Sequence, residues 1–132
     1  MKRLSAILAI LCLMWACKEP NMSEEFRQSD ELRLEIKGYT VFQYNPLTCQ
    51  QGFNKENNEF RIHTDNMSDF FVIKLQTLPA AEGDITEGLV SWTTGDDLHN
   101  KKTTFETIKF EGGKIWLWSA SNRIAAVVQI LE

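Results

Sequence analysis

The chain holds few residues able to do chemistry, and their spacing limits what chemistry is open to them. His63 and His99 are the two histidines, each without a second ligand at a metal-binding spacing such as His-x-x-x-His. Asp96 and Asp97 are adjacent in Thr93-Thr94-Gly95-Asp96-Asp97. They offer carboxylates to a calcium ion, but the Asp-x-Asp-x-Asp-Gly loop that gathers six to eight oxygens is missing. No metal site is expected. Asp84 and Glu87 are the acids to consider as a glycosidase pair, which requires carboxylates about 5–10 Å apart. Cys49 lies in Leu47-Thr48-Cys49-Gln50-Gln51, where no base or cation is at hand to lower a thiol pKa. A quiet, buried thiol is the expectation. Trp116 and Trp118 are two apart, so on a strand they share one face. Two coplanar indoles can stack on pyranose rings at a ligand site, or they can be core.

Before any of these residues comes a segment with a different task. Met1-Lys2-Arg3 is basic, residues 4–16 carry no charge, and Lys18-Glu19-Pro20 ends the run. This is the pattern of a secretory signal, too short for the roughly 20 residues of a membrane span. Met14-Trp15-Ala16-Cys17 resembles the box at which bacterial lipoproteins are cut and lipidated, with Trp15 larger than the residue usual there. The resemblance implies cleavage after residue 16 and acylation of Cys17, with two or more chains giving a stable anchor. The alternative is an ordinary secretory signal followed by an incidental cysteine. Lys18 in place of Asp after the cysteine lacks the common inner-membrane retention signal. Cys17-Lys18-Glu19 is similar to the short charged tag of surface lipoproteins of Bacteroidetes. The implied location is the outer membrane, with the surface face slightly favoured over the periplasmic one.

Loss of residues 1–16 changes the bulk properties. About 116 residues remain, one domain by length. Lys2 and Arg3 leave with the signal, so 14 basic residues become 12 against 18 acids, a net charge of about −6. That excludes a nucleic-acid binder, which needs a basic stripe. Cys12 also leaves and Cys17 is the anchor, so Cys49 has no intrachain partner. No cofactor is implied.

The elements that must position the remaining side chains are strands. Residues 18–30 are polar and read as a tether, with one helical turn near residues 23–28. Period-two alternation starts at Leu32-Arg33-Leu34-Glu35-Ile36 and resumes over residues 39–44. Residues 49–58 read as a loop. Strands follow at 60–64, 70–77 and 89–94, with residues 79–88 as a connection and 95–102 as a polar turn. Residues 103–110, 114–120 and 123–131 form two hairpins joined at Gly112-Gly113 and Ser121-Asn122. The last strand is apolar on both faces, which places it centrally. The expectation is an all-β domain over residues 31–132, an antiparallel β-sandwich or small barrel of about eight strands.

Residues 88–97, Gly-Leu-Val-Ser-Trp-Thr-Thr-Gly-Asp-Asp, resemble a segment of the small lipoproteins that inhibit C-type lysozymes. Those domains are also β and lipid-anchored, and they present a serine and a lysine to the lysozyme cleft. The aligned positions here are Ala81 and Thr94, so neither contact transfers. Signal, size and β content together resemble small lipoproteins of Bacteroidetes that carry a domain of unknown function, a likeness that confers no activity. The reading is a lipid-anchored, non-enzymatic binding or accessory lipoprotein of the cell envelope. Trp116, Trp118, Asp96 and Asp97 would meet a glycan or envelope protein. The alternatives are an inhibitor of a lysozyme-like hydrolase and a hydrolase with scattered carboxylates.

Overall fold

The computed structural model describes residues 22–131; Cys17 and residues 1–16, expected from sequence to be a signal, lie outside them. One helix, α1 (Glu24–Gln28), precedes nine strands: β1 (Arg33–Ile36), β2 (Tyr39–Gln43), β3 (Cys49–Asn54), β4 (Glu59–Thr64), β5 (Phe70–Leu75), β6 (Ile85–Thr94), β7 (Asp97–Glu111), β8 (Lys114–Ser119) and β9 (Ile124–Gln129). All nine belong to one sheet, in the order β2-β1-β9-β8-β7-β6-β5-β4-β3. Every neighbouring pair is antiparallel. The sheet curls into a half-barrel rather than splitting into a sandwich. β9 lies between β8 and β1, in the interior of the sheet as its two apolar faces require.

The odd strand number explains why the curl stays open. With antiparallel pairing throughout, the two edge strands β2 and β3 run in the same sense. A ladder between them would be parallel and would need a crossover of about a dozen residues. Residues 44–48 provide a much shorter link, held as a turn by the Thr48 and Cys49 amides donating to the Asn45 carbonyl at 3.0 and 2.8 Å. Side chains bridge the gap instead. Phe42 of β2 meets Phe71 of β5 edge-on, with centroids 5.4 Å apart.

Alternation sorts the strands into an inner and an outer face. Leu34, Phe60, Ile62, Phe71, Ile73, Val90, Phe105, Ile115, Leu117 and Val128 fill the inner face and are fully buried. The outer face of β8, β9 and β1 holds a second, smaller core. Trp116 and Trp118 project there beside Val127 and Ala125, which in turn lie opposite Arg33 and Glu35. The N-terminal stretch covers this face. Phe26 of α1 is fully buried. Ser23 caps the helix by accepting from the Phe26 amide at 2.9 Å, and its hydroxyl donates to Glu35 at 2.8 Å. Arg33 sits between Glu35 at 3.1 Å and Glu25 at 3.3 Å, and donates to the Thr40 hydroxyl at 2.6 Å.

Several boundaries differ from the sequence expectation. The helical turn is present, but residues 23–30 are docked on the sheet instead of hanging free, because Phe26 and the Trp116 face bury each other. Residues 49–54 are strand, not loop. They form an edge whose inward positions, Cys49, Gln51 and Phe53, are only partly apolar. β6 begins at Ile85 and β7 at Asp97, so the supposed connection and polar turn shrink to a long hairpin with a tight turn at Gly95-Asp96. The sheet therefore has nine strands in place of about eight.

Candidate ligand groove on the outer face of β5, β6 and β7

Gly88 lies on the inward-facing side of β6, opposite Leu75 on one flank and Thr103 on the other. A Cβ at this position would meet Leu75 Cδ2 at 2.9 Å and Phe105 Cε2 at 3.1 Å. Those two side chains close over the bare backbone on the inner side of β6. On the opposite, outer side a groove of about 460 Å³ opens over the same point. The rows across its mouth follow from the register. Lys74, Leu89 and Lys102 form one row over β5, β6 and β7. Glu87 and Thr104 form the next, continued by Gln76, whose amide donates to the Glu87 carbonyl at 2.8 Å.

Leu89 is 37% exposed and gives the floor an apolar patch. Neither Lys74, Lys102 nor Glu87 has an ion-pair partner among the described residues. Glu59 lies on the far side of Lys74, opposite it on β4, and is engaged by Arg61 at 2.6 Å. The groove thus presents two ammonium groups, one carboxylate, two neutral polar side chains and an apolar floor. This arrangement suits binding by charge and shape.

The residues singled out from sequence lie elsewhere. Trp116 is buried, its indole N–H donating to the Ser29 carbonyl at 3.1 Å and Lys109 Nζ lying 4.4 Å from the ring centroid. Trp118 shares its face and is half-buried. The Trp116 indole lies beneath the N-terminal stretch, so the two rings do not form one open platform. Asp96 and Asp97 are exposed at the β6–β7 turn, and no group of three or more His, Cys, Asp or Glu able to hold a metal ion occurs among the described residues. Cys49 is buried and free, with the Thr48 hydroxyl 3.7 Å away.

The histidines are on opposite faces. His63 Nδ1 meets its neighbour's carbonyl at 2.8 Å, on the outer side of β4. His99 stacks on Trp92 across the β6–β7 hairpin, centroids 5.2 Å apart, with Nε2 2.7 Å from the Thr94 hydroxyl. Asp84 closes its own loop by accepting from the Ala80 and Ala81 amides at 2.8 and 3.1 Å. Only Glu87, among the sequence candidates, lines the groove. Lys74 and Lys102 were missed because register alone makes them neighbours. Gly88 would have been a signal only with the strand placed from Ile85, since an isolated glycine in a strand marks close approach, and by sequence alone it falls in the connection. No family model, curated protein or solved structure matches this chain.

Proposed function

We propose that this chain is a lipid-anchored, non-enzymatic binding module of the cell envelope, held in the outer membrane through Cys17, that takes its ligand in the groove over Gly88. The observation that carries the binding half is the groove itself. Its walls are Lys74 and Lys102 and its floor is Leu89, with Glu87, Gln76 and Thr104 in the row beside them. The anchored half rests on the sequence of residues 1–17. The ligand is a small envelope molecule or an exposed group on an envelope protein. Stacking of a sugar on Trp116 and Trp118 is not part of this reading, because the Trp116 ring lies beneath Ser29.

Two measurements test it. Cells expressing the full chain are fed an alkyne fatty acid; label on the wild type and none on Cys17→Ser is expected. An unlabelled wild-type chain overturns the anchor. The purified full chain is then titrated in detergent with inorganic phosphate, acetate and a neutral disaccharide, followed by thermal shift. Stabilisation by an anionic probe that disappears in the double variant Lys74→Gln with Lys102→Gln is expected. An identical response in that double variant overturns the groove as the binding site.

A further inference from the structure

The charges in the groove are segregated by row. Lys74 and Lys102 flank apolar Leu89 in one row; Glu87 stands between neutral Gln76 and Thr104 in the next. A solvated sheet face gains most from opposite charges placed directly across from each other. Here the neighbours on the β6 side are neutral, Leu89 for both lysines and Gln76 and Thr104 for Glu87, while Glu59, opposite Lys74 on β4, is engaged by Arg61; the positive and negative rows are one outward position apart along β6. Neighbouring strands are about 4.8 Å apart, so the lysine Cα atoms stand about 9.6 Å from one another. An oxyanion seated over Leu89 is within reach of both flexible ammonium groups, which favour anions as compact charges with rotatable donors. Glu87 is two residues along β6, about 6.7 Å from Leu89. That is of the order of the separation of charges in a short aminoalkyl phosphate or an ω-amino acid.

We infer that the groove recognises a zwitterion: a phosphate or carboxylate held between Lys74 and Lys102, with a primary ammonium on the same ligand donating to Glu87. This rests on the binding reading above and sharpens it. Charge-assisted hydrogen bonds at both ends fix the ligand's direction along β6. The Leu89 floor accepts the methylene link between the two charges. Gln76 and Thr104 remain free to bond the anion's outer oxygens or whatever the headgroup is attached to. A ligand with a quaternary ammonium cannot donate to Glu87 and binds less well.

The test uses the full chain in detergent and isothermal titration with O-phosphoethanolamine, inorganic phosphate, ethanolamine, phosphocholine and γ-aminobutyrate. Phosphoethanolamine is expected to bind about tenfold more tightly than phosphate or phosphocholine, the size of one charge-assisted contact. Glu87→Gln should erase that preference while leaving phosphate binding intact. Lys74→Gln and Lys102→Gln should each weaken both. Comparison of phosphoethanolamine with γ-aminobutyrate separates a phosphate ligand from a carboxylate one. Equal affinity for phosphate and phosphoethanolamine, unchanged in Glu87→Gln, overturns the zwitterion and leaves an anion groove. Absence of binding by every anionic probe overturns the groove reading as well.

Discussion

The outer face of β8, β9 and β1 and the outer face of β5, β6 and β7 belong to one continuous sheet, yet they meet the surroundings differently. The first is apolar and carries Trp116, Val127 and Ala125, with the Arg33–Glu35 pair set among them. It is sealed by α1 and the residues on either side of it. The second carries Lys74, Lys102, Glu87 and Thr104 around a single Leu89, and nothing lies over it among the described residues. The inner faces beneath both contribute to the core. The difference teaches that cover follows outward composition: an apolar outer face on this sheet is covered by a segment of the same chain, and a charged one is left open to solvent.

That contrast is broken most severely on the sealed side. Phe26→Ala removes the side chain that pins α1, and should cost about 3–5 kcal/mol in denaturant unfolding. Arg33→Ala leaves Glu35 buried with Ser23 as its remaining partner and should cost a similar amount, about 3–5 kcal/mol. Replacing both ions together, Arg33→Met with Glu35→Leu, should recover most of that loss, since apolar residues of like volume are often as stable as the pair. Equal destabilisation in the single and double variants would show that the ion pair holds α1 by direction and not only by burial. On the open side the effects shrink. Gly88→Ala forces a methyl against Leu75 and Phe105. It should cost about 1–3 kcal/mol, read by denaturant unfolding. Lys74→Gln and Lys102→Gln, exposed and without ion pairs, should change stability by less than about 0.5 kcal/mol. A larger loss from either lysine would mean that the open face is structural after all.

Much of the inner face was legible as alternation. Leu34 and Ile36, Phe60 and Ile62, and Phe71, Ile73 and Leu75 repeat at period two and are core partners in the fold. β3 was not legible, because an edge strand buries little and its sequence Cys-Gln-Gln-Gly-Phe-Asn shows no apolar period. The first half of β7 was hidden for a related reason. Its inward positions His99 and Lys101 project past the core and are held by pairing with β6, so polarity imitates a turn there. The both-faced apolar pattern of Trp116 and its neighbours left two readings open, a ligand platform or core, and Trp116 is core. The identity of its cover was unreadable, since the cover is a polar stretch with one phenylalanine that gains meaning only when β1 lies beside β9. The groove was unreadable likewise: Lys74 and Lys102 become a pair only through two successive registers centred on β6.

The pairing of β1 with β9 also sets a timetable. From β3 to β9 each strand pairs with the one made just before it, so that ribbon of hairpins can assemble through contacts close in sequence. β1 joins β9 across most of the described chain, as Leu34 to Ala126, and loop-closure entropy makes such a contact slow. The segment synthesised earliest among the described residues must therefore wait for the strand synthesised last. A permuted chain opened within residues 44–48 and joined from residue 131 to residue 22 would place all nine strands in sheet order. Stopped-flow refolding should find it faster than the natural chain, with the gain confined to the phase in which α1 docks.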